Sequence, residues 1–225
     1  MSEVEVDVVR VFTNEAGEYG NELGIIRATD DTTGCEQRIA AALGFSETVF
    51  IESVASGRAV IRIFTPAAEL PFAGHPSVGT AWWLAQRGTP IDVLEEPAGD
   101  VAVRSDGDLT WITGKAEWAP NFSFQTAASV ADIDGLDPLA FPSGKHYIWA
   151  WENEAAGVIR SRMFAPELGV PEDQATGAAA VRLTALLERD LEINQGLGCD
   201  ISTRVLGEGR IEVGGRTVFD RSLTL

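Results

Sequence analysis

Cysteine and histidine are scarce in this 225-residue sequence, with two of each. Cys35 and Cys199 lie far apart, without CxxC spacing. Neither a zinc site nor a disulfide framework is indicated, and both read as reduced thiols of a cytoplasmic protein. Basic residues are few as well: 17 Lys and Arg face 34 Asp and Glu, a formal net charge of −17. That balance argues against nucleic-acid binding and against an anionic membrane surface. It leaves room for a small anionic ligand held by local donors. No apolar run is long enough to span a bilayer. The opening "MSEVEVDVVR" is charged from the start and lacks the apolar core of a signal peptide. Walker, GxGxxG, HExxH and GxSxG motifs are absent.

An apolar fraction of 45% is that of a globular chain. Strands dominate the pattern. "VEVDVVRVF" (4–12) alternates apolar and polar residues, and "YGNELGIIRAT", "ETVFIESV" and "RAVIRIFTP" follow as strands. "CEQRIAAALGF" (35–45) has helical spacing and stops at Gly44. A second helix is expected from Ser77 to Gln86, closed by Gly88. Strands return over 91–114. The pattern weakens between 121 and 142, with a short helix expected near 126–133. "KHYIWAWEN" and "AGVIRSRMFAP" are strands, a helix covers 176–188, and the remainder reads as short strands separated by glycines.

The two halves resemble each other. "IRIFTPAAELPFAGHPSVGTAWWLAQ" (61–86) aligns with "SRMFAPELGVPEDQATGAAAVRLTALL" (161–187). Both run Arg-x-Phe-x-Pro, then a loop of small residues, then an Ala-rich helix. An offset of about 100 residues is too long for a solenoid repeat and fits two similar domains facing each other. Helix starts aimed at the cleft between them would offer unsatisfied N–H groups to an anion.

Four places could carry chemistry. Glu47 enters an apolar strand, so it is either an exposed charge or a partly desolvated acid suited to proton transfer. His75 precedes Pro76, which suits a first helical turn and places the imidazole near a helix mouth; a plain turn would also explain it. Asp173 lies just before the second Ala-rich helix, where Asp commonly caps. Ala175, Thr176 and Gly177 make a compact start for that helix. Asn21 shapes a turn or bonds a ligand. His146 opens an aromatic core strand, and the adjacent Trp82 and Trp83 read as core packing.

"SETVF", "RIFTPAAELPFAGHP" and "RMFAPELGVPEDQATGAA" together closely resemble the PhzF (phenazine biosynthesis-like) proteins of the diaminopimelate epimerase fold superfamily. The resemblance implies an α+β fold of two similar domains. Each is a strongly bent, mostly antiparallel sheet wrapped around a central helix, with the active site between them. The halves are placed at 1–118 and 119–225, with an approximate boundary that lets the C-terminal end return to the first half. The resemblance assigns catalysis to Glu47, His75 and Asp173. Substrate binding falls to Asn21, Gly74, Ser77, Ala175, Thr176 and Gly177.

The reaction so implied is a cofactor-independent isomerisation that moves a proton between carbons of a small carboxylate, with no metal and with a homodimer as the expected assembly. The epimerase branch uses two cysteines at the helix starts, where this chain has Ala73 and Gln174, so a two-thiol racemase is disfavoured. Three departures from the family pattern stand out. Gln174 replaces a proline and Ala178 a frequent serine; Glu22 stands where a proline is common; the region between 90 and 160 is short. The alternatives are a catalytically altered binding protein of the same fold, or an epimerase that works without cysteines.

Overall fold

The protein is described by a computed structural model covering residues 3–225, except for the side chain of Leu168. Fifteen strands and four α-helices make a mixed α+β fold among the described residues. The first half runs β1 (Glu5–Thr13), β2 (Asn21–Arg27), α1 (Glu36–Leu43), β3 (Glu47–Ala55), β4 (Arg58–Phe64), β5 (Glu69–Leu70) and α2 (Gly74–Gln86), then β6 (Val93–Glu96), β7 (Gly99–Asp106) and β8 (Leu109–Lys115). The second runs β9 (Ser123–Thr126), α3 (Val130–Asp134), β10 (His146–Asn153), β11 (Val158–Ala165), β12 (Val170–Asp173) and α4 (Gly177–Leu187). It ends with β13 (Leu191–Gln195), β14 (Cys199–Gly207) and β15 (Arg210–Thr224).

One sheet holds all of these strands, in the order β1-β2-β3-β4-β6-β7-β8-β15-β14-β13-β11-β10-β9, with β5 and β12 as short branches. The long β15 closes part of it. Its first residues pair with β8 and β14, and its last ones pair antiparallel with β1 from Glu5↔Thr224 to Thr13↔Arg216. Eight strands therefore form a barrel-like ring, and closure removes their free edges. Helix α2 lies against β1, β2, β3, β8 and β15 of that ring. Its residues are buried all round from Gly74 to Leu84 except Trp82, as an enclosed helix requires. Helix α4 packs on β14 and β15 and meets α2.

Three readings of the sequence need correction. Helix α2 begins at Gly74, three residues before the expected Ser77. Pro76 sits inside its first turn, where a missing N–H costs no helical bond. The weak region 121–142 hides β9, a four-residue edge strand parallel to β10, too short to show periodicity. The C-terminal glycines do not all separate short strands. Gly214 and Gly215 lie inside the continuous β15. A Cβ on Gly214 would come within 2.4 Å of the Trp111 ring, and one on Gly215 within 2.4 Å of the Phe12 ring. These glycines admit aromatic rings against the strand instead of turning it. The short helix near 126–133 forms as α3, and Ser129 caps it by accepting the Asp132 N–H at 3.2 Å.

Candidate active site

Helices α2 and α4 meet start to start. A Cβ on Gly177 would lie 2.7 Å from the His75 nitrogen, and one on Gly74 would lie 2.9 Å from the Gly177 carbonyl carbon. Two backbones can approach this closely only where side chains are absent. The first intrahelical bonds are Ser77 N–H to the Ala73 carbonyl and Ala180 N–H to the Thr176 carbonyl. The N–H groups of Gly74, His75, Gly177, Ala178 and Ala179 precede them and have no acceptor within their own helices. Two positive dipole ends thus face one small region, an arrangement that favours negative charge.

Three acidic or basic side chains converge there from separate elements. Glu47 is the first residue of β3, His75 belongs to the first turn of α2, and Asp173 ends β12. All three are buried. His75 Nδ1 lies 2.9 Å from Glu47 Oε2, and its Nε2 lies 3.2 Å from the Asn21 carbonyl oxygen. A carbonyl only accepts, so Nε2 carries a proton. The contact between Nδ1 and Glu47 is a hydrogen bond when a second proton lies between them. With that proton in place the His75–Glu47 pair carries no net charge, whichever partner holds it.

Asn21 bridges the pair to Asp173. Its amide nitrogen donates to Asp173 Oδ1 at 2.6 Å and to the Ala175 carbonyl at 3.1 Å. Thr176 Oγ1 donates to Asp173 Oδ2 at 2.6 Å. Burial, then the nearby Glu47 charge, pushes Asp173 up to about 6, against the opposing influence of His75 and its hydrogen bonds.

The cavity beside these groups is lined by Glu47, Asp173, Thr176, Ser46 and Thr65 among apolar walls that include Leu70, Phe72, Phe122, Met163 and Val170. It measures about 20 Å³, the space of a single water. Ala73 and Ala178 also face it.

The Phenazine biosynthesis-like protein family (PhzC-PhzF) matches residues 9–134 and 142–213. The trans-2,3-dihydro-3-hydroxyanthranilate isomerase of Pseudomonas chlororaphis is 34% identical over 221 residues, covering 81% of this chain and 79% of that protein. Its counterpart in Pseudomonas aeruginosa is 31% identical over 232 residues, covering 86% and 83%. This chain belongs to the PhzC-PhzF family. It is an isomerase of the PhzF-like kind, as its named relatives are. The Bacillus anthracis phenazine biosynthesis protein of the PhzF family has the same fold, with a TM-score of 0.80 at 22% identity over 100% of this chain and 99% of that one.

Within this candidate site the remaining expected residues divide. Gly74, Ala175, Thr176 and Gly177 lie where the helix starts meet. Of these Thr176 lines the cavity, whereas Gly74, His75, Ala175 and Gly177, like Asn21 and Ser77, are buried and do not. The Ser77 hydroxyl is engaged by the Ala73 carbonyl at 2.7 Å and by Glu96 at 2.5 Å. Glu22 points outward and pairs with Arg221 at 2.6 Å, so its charge does not face the cavity. Gln174 accepts the Leu197 N–H at 3.0 Å, holding the β13–β14 turn. Neither cysteine joins the cluster. Cys35 precedes α1, while Cys199 is buried in β14, where burial pushes its thiol up to about 12.

Two neighbours of the candidate site carry no mark in the sequence. Gln195 is fully buried and takes four bonds, donating to the Asp173 carbonyl and Thr176 Oγ1 and accepting from the Thr176 N–H and Tyr147 hydroxyl. Glu96 sits beneath the start of α2. Both occupy strands of ordinary polar alternation, so nothing local marks them.

Proposed function

We propose that the enzyme moves a proton between two carbons of a small, unsaturated or cyclic carboxylate without a cofactor, with Glu47 as the shuttle. The observation that carries this reading is the Glu47–His75 pair, tied through Asn21 to Asp173 at the junction of two helix starts. The Glu47 carboxylate removes a proton from carbon and leaves the electron pair in an extended enolate. The resulting acid returns the proton at a second carbon, so proton and electron pair balance within the substrate. N–H groups at the helix starts hold the substrate carboxylate and meet the developing charge. His75 orients Glu47, and Asp173 and Thr176 form the facing wall. A substrate larger than water requires the cavity walls to part.

The same reading divides the chain into similar halves, 1–118 and 119–225. The pairings β3–β4, β4–β6, β6–β7 and β7–β8 recur in order as β10–β11, β11–β13, β13–β14 and β14–β15. A racemase using two thiols is disfavoured by Ala73 and Gln174 at the aligned helix starts and by the remote cysteines.

The test is carbon–deuterium exchange. Purified protein is incubated in D₂O with trans-2,3-dihydro-3-hydroxyanthranilate and simpler unsaturated carboxylates, and mass spectrometry reads isotope uptake and isomer formation. Turnover by the intact protein and its loss in Glu47→Gln, with folding retained by circular dichroism, is expected. Undiminished turnover in that variant removes Glu47 from the role.

A further inference from the structure

Glu96 is a buried acid that the reaction above does not use. It ends β6 and packs under the first turn of α2. Its Oε1 lies 2.5 Å from Ser77 Oγ, and its Oε2 has no hydrogen-bond partner among the described residues. Ser77 Oγ also lies 2.7 Å from the Ala73 carbonyl, which accepts the Ser77 N–H as well.

A hydroxyl has one proton, and a carbonyl can only accept. When Ser77 donates to Ala73, the short contact with Glu96 is a hydrogen bond only if Glu96 supplies the proton. An uncharged Glu96 thus completes the chain from Glu96 through Ser77 to Ala73, beside Gly74 and His75. An ionised Glu96 would draw the Ser77 proton to itself and weaken the clamp on Ala73. It would also set a negative charge at the helix start, in competition with any anion sought by the same dipole.

Among the described residues no opposite charge is paired with Glu96. Its polar neighbours are Ser77 and the Ala73 N–H, and burial outweighs both, lifting the carboxyl to about 8. On the same hairpin, Glu95 and Asp100 are taken up by Arg58 at 2.5 and 2.7 Å. Gly99, opposite Glu96 in the ladder, faces the Trp118 ring, over which Lys115 lies. His75, on the same turn, is held by Glu47 and Asn21.

We propose that Glu96 is a positioning residue: as an uncharged acid it braces the first turn of α2 and leaves the Gly74 and His75 N–H groups free to hold an anion. Its ionisation loosens that turn and opposes the anion, which places the alkaline limit of binding in a residue that never touches substrate. This role rests on the anion-binding reading of the helix starts given above.

The test uses the full chain with benzoate as the probe. Amide ¹H–¹⁵N shifts of Gly74 and His75 are followed from neutral to alkaline pH in the native protein and in Glu96→Gln, and benzoate affinity is measured in parallel by calorimetry. A titration of both amides near pH 8 in the native protein, absent in Glu96→Gln, is expected. A fall in benzoate affinity of about tenfold above that step, absent in the variant, is expected alongside it. Flat native amides, or a step that survives in Glu96→Gln, overturn the proposal without any appeal to benzoate. Amides that titrate while benzoate affinity stays constant overturn the link to anion binding. Absence of benzoate binding at every pH overturns the anion reading of the helix starts, while the amides still decide whether Glu96 governs the turn.

Discussion

Gly74 and Gly177 touch backbone to backbone, so that a Cβ on either would enter its neighbour's main chain at 2.9 Å or less. This contact joins α2 to α4 and brings the two sets of helix-start N–H groups together. Glu47, Asp173 and Glu96 lie around it, the first two through His75 and Asn21 and the last through Ser77.

Gly177→Ala therefore forces the helix starts apart. Overpacking against backbone costs about 1–3 kcal/mol, and we expect a lowered urea midpoint with unchanged slope. Turnover should fall more steeply than stability, because the N–H groups lose their common target. A variant with native stability and turnover would show that the contact is not limiting.

Binding of an anion should depend on Asp173. Its carboxyl is held up at about 6, so it is neutral below that pH and negative above. Ionised Asp173 adds one repelling charge to the site. We expect the affinity for benzoate to drop about tenfold as pH rises through this range, a change on the order of 1–3 kcal/mol for like charges a few Å apart at intermediate dielectric. Asp173→Asn should flatten the profile. Calorimetry at three pH values settles the sign.

Stability should move with Glu96. The folded state keeps its proton up to about 8, whereas the ordinary carboxyl value is 4.5. Folding therefore takes up a proton between those values, and the associated stability is complete at low pH and lost as pH rises through the window. Glu96→Gln, uncharged throughout, should match the native protein near the acid end and exceed it by up to a few kcal/mol near pH 8. Urea unfolding across pH measures the difference; a variant that weakens relative to the native protein as pH rises contradicts the assignment.

Much of the local architecture was legible in the residues alone because it depends on near neighbours. Alternation marked β1, the segments of β3 and β4 read as strands, and Gly44 ends α1 in a left-handed conformation, with φ of 71°. The recurrence of Arg-x-Phe-x-Pro before an Ala-rich helix pointed to the repeated strand-and-helix order. The motif blocks drew out Glu47, His75 and Asp173, which the structure gathers at one place.

Tertiary structure alone decided the rest. Asn21 and Asp173 are separated by 152 positions and bonded at 2.6 Å. No periodicity carries such a pairing, because it arises only when β2 and β12 are folded onto the same junction. The same reason kept Glu96 and Gln195 hidden. The sequence determined which segments are strands or helices and which groups can hold or move a proton. Folding decided which of those groups lose water and which partners they face. Hydrogen bonding and charge depend on distance through space, and distance along the chain does not set it.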